Sequence, residues 1–142
     1  MKKLEKQPNK QKAIDVALWR NFKHRVGGEI VGVIQSIEGD FIIIPPSHPT
    51  FKDEEFETLP IDYSQMDYKH IRNMYTDVEI LPHWEELKGA FSNMDGELLR
   101  FILARKIPIE KFIRYELACR GFNADHIWVG FKEAENVWLT DN

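Results

Sequence analysis

Cysteine occurs once, at position 119, so the chain can neither close an internal disulfide nor build a CxxC metal knuckle. No apolar run comes near the roughly 20 residues that a membrane-crossing helix needs. No apolar segment follows the N-terminal lysines to make a signal peptide, and a cytoplasmic setting is the expectation. The five histidines, His24, His48, His70, His83 and His126, form no HxH or HxxxH pair, so no local metal site is written in the sequence. Gly27-Gly28 lacks the Lys-Ser/Thr of a phosphate loop, and the four serines include no GxSxG elbow. No cofactor and no metal are therefore expected. An enzyme ranks third among the readings of function. A cavity in which His48, His70 or His83 meets carboxylates would restore it.

At 142 residues with 43% hydrophobic side chains, the chain has the length of one domain and enough apolar material for a core. The net charge of −4 is unevenly placed. Residues 1–12 hold five lysines and one glutamate, leaving −8 for the remainder. The division expected is a flexible basic tail over residues 1–11 and a single globular domain over 12–142.

The densest pattern lies at residues 98–138. Leu98, Leu99, Phe101, Ile102 and Leu103 leave a first helix few polar faces, so burial on most sides is expected. Pro108 cannot continue that helix but suits the first turn of another, which makes Lys106-Ile107 the connection. In the second helix Ile109, Phe112, Ile113 and Leu117 form a stripe. Glu110–Arg114 and Glu116–Arg120 are favourable i,i+4 pairs, and Gly121 supplies the stop. Phe101, Ile102, Phe112, Ile113 and Leu117 are expected to be buried together, and Cys119 to be a buried, inert thiol. A last helix with Phe131, Ala134 and Trp138 on one face follows Trp128-Val129-Gly130.

Upstream, Ile14, Ala17, Leu18 and Phe22 recur at helical spacing over residues 12–26 until Gly27-Gly28. The β-branched runs 29–37 and 41–46 flank Glu38-Gly39-Asp40 as a hairpin, with Gly32 marking a bulge or a close backbone approach. Phe41 to Ile44 is apolar on both faces, and its covers should be the N-terminal helix and the C-terminal helices. Residues 66–75 read as a short helix, 78–81 as a short strand, and Pro82 opens a further helix that breaks at 92–96, where Asp95 or Asn93 caps the next. The fold class is α+β: a helix-rich single domain with a small antiparallel β-hairpin packed by helices.

Two stretches carry charge that could meet a partner. Between residues 53 and 67 stand Asp53, Glu54, Glu55, Glu57, Asp62 and Asp67 with no basic residue among them. Such a field suits a basic surface on a protein partner. The helix–break–helix over 98–120 invites comparison with a DNA-binding helix-turn-helix, in which Lys106, Lys111 and Arg114 would meet phosphates. Glu110 and Glu116 on the same helix oppose that use. The reading that follows is a non-enzymatic accessory or regulatory protein that binds another macromolecule, a protein first and nucleic acid second, with no membrane role.

Overall fold

The computed structural model describes residues 5–51 and 53–140. The architecture is α+β: six helices and a three-stranded antiparallel sheet among the described residues. The chain divides into two compact units, Met1–Lys88 and Gly89–Asn142.

In the first unit, β1 (Glu5–Gln7) leads into α1 (Lys10–Lys23), and β2 (Gly32–Gln35) and β3 (Phe41–Ile44) form the expected hairpin. The sheet order is β1-β3-β2, so β3 is central. Residues 5–7, assigned to the tail, are an edge strand, with Glu5 opposite Ile43 and Gln7 opposite Phe41. Asn9 then caps α1 by accepting from the Lys12 amide at 3.0 Å. Residues 1–4 of the expected tail lie outside the described residues. Three polar residues, Glu5, Lys6 and Gln7, carry no strand pattern of their own. They pair because β3 offers a free edge.

Side-chain alternation on β3 and β2 gives the sheet two apolar faces. Val33 and Ile43, with Val31 just before β2, pack against Ala13, Ile14, Val16 and Ala17 of α1. Ile34, Ile42 and Ile44 face the other way and are covered by Phe51 and Phe56. The second cover is thus the long loop itself, filling the role assigned from sequence to the C-terminal helices. Gly32 allows the close approach foreseen for it: a Cβ there would lie 2.6 Å from the Phe56 ring. The Glu57 amide donates to the Val33 carbonyl at 2.7 Å and extends the pairing beyond β2. Asn21 closes the turn after α1 by bonding both backbone groups of Val31, at 2.9 and 2.7 Å.

One further helix and the greater part of another complete this unit, which ends at Lys88. α2 (Tyr68–Thr76) is capped by Asp67, whose carboxylate accepts from the His70 amide at 2.9 Å. α3 (Pro82–Ser92) begins at the proline, as expected. Residues 78–81 are not a strand; they form a turn and an extended run into α3. Lys12 anchors this run through the Asp77 carboxylate at 2.9 Å and the Glu79 carbonyl at 2.8 Å. That pairing holds the Asp77 carboxyl below its ordinary pKa.

The second unit contains α4 (Gly96–Ala104), α5 (Ile109–Cys119) and α6 (Phe131–Trp138). Asp95 caps α4 through the Leu98 amide at 3.1 Å. Pro108 occupies the cap position of α5, so the two-helix reading holds. The left-handed residue of the connection is Lys106, with φ 53°, rather than a glycine. Gly121 follows α5 with φ 76° and is buried; a Cβ there would stand 2.9 Å from Trp128 Nε1. α5 packs on α6, where Ala118 and Ala134 are the buried residues. Trp138 Nε1 donates to the Phe122 carbonyl at 2.8 Å and ties α6 to the loop.

Burial in this unit differs from the sequence expectation. Phe101, Phe112 and Ile113 are 53%, 64% and 56% exposed; only Ile102 and Leu117 of the five are half-buried. Leu103 on α4 is 81% exposed, and Cys119 is exposed rather than buried. An apolar stripe predicts that a face will seek cover, but not which surface supplies it.

Candidate functional site

Within the apolar Ala-Ile-Asp-Val-Ala run of α1 sits one buried acid. Asp15 is 4% exposed, and helical geometry turns it inward between its alanine and valine neighbours. A buried carboxylate is tolerated only when its oxygens are paired. Here each oxygen accepts two hydrogen bonds. Oδ1 accepts from Tyr63 Oη at 2.9 Å and Gln11 Nε2 at 3.2 Å. Oδ2 bonds His70 Nε2 at 2.9 Å and accepts from Trp84 Nε1 at 3.2 Å. Four segments meet at one side chain: α1, the loop before α2, α2 itself and α3.

The surroundings of this hub are aromatic. Tyr63 packs edge-on against Trp84 at 5.3 Å between centroids, and Trp84 lies 4.5 Å from His83, which stacks on Trp19 at 4.8 Å. Burial, and then the neighbouring Asp15 charge, raises the Tyr63 phenol far above its ordinary pKa, so Tyr63 acts as a donor. Burial lowers the His83 imidazole, with Asp15 pulling weakly the other way.

Beside the hub opens a cavity of about 390 Å³, lined by Asp15, His70, Trp84, Lys12, Asp77 and Leu81 among others. His70 meets one carboxylate beside this cavity, but both Asp15 oxygens already hold two hydrogen bonds each, so the carboxylate is committed to joining segments and is not free for acid–base work. His48 and His83 are not part of the lining. The sequence names His70 only as one of three histidines that would matter if they met carboxylates, and it does not single out Asp15, Tyr63 or Trp84. The available signal was an aspartate inside an otherwise apolar helical face. No group of three or more His, Cys, Asp or Glu side chains among the described residues could hold a metal ion.

The acidic stretch divides by role. Asp53, Glu54 and Glu55 are exposed. Glu57 pairs with Lys10 at 3.0 Å, Asp62 accepts from the Ser64 amide at 2.9 Å, and Asp67 is the cap of α2. The Ser64 bonds hold the Asp62 carboxyl below its ordinary pKa. Lys106 and Lys111 are exposed, but Arg114 is half-buried and engaged. Its Nε bonds Glu110 at 3.2 Å, and its guanidinium lies 6.0 Å from the Trp138 ring centre. Comparison with protein-family models, with curated proteins and with solved structures returns no match.

Proposed function

We propose that this protein is a non-enzymatic accessory or regulatory factor that acts by binding another protein. One observation carries the reading: α4, α5 and α6 leave Phe101, Leu103, Phe112, Ile113, Tyr115 and Phe131 exposed. Scattered surface apolar residues need no explanation, but six large ones on three short helices are more than solubility favours. Their composition, weighted to phenylalanine and tyrosine, is that of interface cores. The acidic field of Asp53, Glu54 and Glu55, which belongs to the first unit, separately favours a partner that carries basic side chains. DNA recognition through Lys106, Lys111 and Arg114 is the second reading. Against it stands Arg114, whose guanidinium is bonded to Glu110 and to the Trp138 carbonyl.

The test is capture from the source cell with nuclease-treated lysate, followed by reconstitution with the purified partner. Phe112→Ser and Phe131→Ser should leave the fold intact and cut partner affinity at least tenfold. For Phe112→Ser we expect a stability cost below about 1 kcal/mol, as for exposed positions generally. Capture abolished by nuclease would favour DNA. Binding indifferent to both substitutions would remove these helices from the contact.

A further inference from the structure

The Asp15 hub stabilises the first unit and leaves one ring nitrogen of His70 open to the cavity. His70 Nε2 is committed to Asp15, while Nδ1 has no hydrogen-bond partner among the described residues. The side chain is nearly buried and lines the cavity. A histidine held by a carboxylate through one ring nitrogen has a fixed orientation and offers the other nitrogen to whatever arrives. In the tautomer that donates from Nε2 to Asp15, Nδ1 is an acceptor.

The cavity's charge narrows what could arrive. Its lining carries three acids, Asp15, Asp77 and Glu79, against one base, Lys12. Lys12 is already bonded to Asp77 and to the Glu79 carbonyl. A recess with an excess of negative charge concentrates cations and repels anions. Trp84, Leu81, Ile80 and Val78 give one part of the wall an apolar surface, while Gln7, Asn9, Gln11, Asn73 and Thr76 make another part polar and uncharged. The volume of about 390 Å³ lies within the range of small-molecule sites.

We propose that this cavity binds a small molecule with a protonated amine and an apolar body, the ammonium donating to His70 Nδ1 and the body resting against Trp84 and Leu81. The role is separate from the apolar surface of the helical unit and does not depend on it. The Asp15 hub then has two effects: it joins four segments, and it holds the recognition nitrogen in place.

The experiment uses the full chain at about pH 7.5 with three probes of similar shape: 2-phenylethylamine, 3-phenylpropionate and 2-phenylethanol. Binding is read from the Trp84 indole N–H and the His70 ring resonances by NMR. The amine should shift both signals saturably and bind at least tenfold tighter than the carboxylate. Val78→Trp, at an exposed position on the cavity wall away from the hub, should keep the wild-type fold and weaken amine binding at least tenfold. His70→Gln retains a side-chain donor for Asp15 but removes the ring nitrogen, and should weaken it as well. The proposal is overturned if the amine leaves both signals unmoved at millimolar concentration. It is equally overturned if the carboxylate binds as well as the amine, or if a folded Val78→Trp protein binds the amine like wild type.

Discussion

A carboxylate at position 15 accepts from tyrosine, imidazole, indole and amide groups together, and this makes its replacement unusually informative. Asp15→Ala would leave three half-buried donors, Tyr63, His70 and Trp84, and the exposed Gln11 amide without an acceptor, and should cost on the order of 3–5 kcal/mol. Asp15→Asn keeps the shape but turns an amide NH2 toward donors on one side. It should therefore be nearly as damaging, whereas a merely space-filling role would make it mild. Urea midpoints of the two variants decide between these. His83 provides the pH test. Burial holds its folded pKa below the ordinary 6.5. The unfolded chain takes up a proton near that value while the folded chain resists it, so stability falls as pH drops below about 6.5. The loss should continue down to the folded pKa. His83→Gln should flatten this slope between about pH 7.5 and 5.5, and an unchanged slope would assign the pH dependence elsewhere.

Among the elements, β1 is the one whose contribution can be isolated. Removing residues 1–7 would expose the outer edge of β3 and free Arg20 from its ion pair with Glu5. The ladder bonds lost contribute about 0.5–1.5 kcal/mol each, so the denaturation midpoint should fall measurably. A flexible tail could be removed without effect. β1 was illegible because its residues have no apolar alternation; only the free edge of β3 recruits them. By contrast α1, β2, β3, α3 and the α4–α5 break were legible. Each is marked by a local device: Gly27, the Glu38-Gly39-Asp40 turn, Pro82, Pro108 and Gly121. Tertiary partners were legible only in part: α1 covers the hairpin as expected, whereas the loop that covers its other face was not read. The periodicity of Phe112 and Ile113 is helical whether or not a surface covers them, and they stand exposed. The hub shows the same limit, since Gln11, Asp15, Tyr63, His70 and Trp84 span 74 positions of chain and only folding brings them together.

For the molecule as a whole, the charge of −4 and its uneven distribution bear on how a partner approaches. Glu57, Asp62 and Asp67 already bond within the fold, so neutralising them would mix structural loss with loss of field. Asp53, Glu54 and Glu55 are exposed, and their side chains form no such bond among the described residues. Replacing these three with Asn, Gln and Gln should leave stability within about 0.5 kcal/mol of wild type. Solvent-exposed charges act over a Debye length, about 30 Å at 0.01 M salt and about 8 Å at physiological strength. The triple variant should therefore associate more slowly with a basic protein partner at low salt and converge with wild type as salt rises. The dissociation rate should hardly change, because charges outside a packed contact steer encounter more than they hold the complex. A polyanionic partner reverses the sign: fewer acids would speed its association. Surface plasmon resonance across a salt series reads both rates. An association rate independent of salt and of the substitutions would remove electrostatic steering, leaving the apolar helices as the sole basis of recognition.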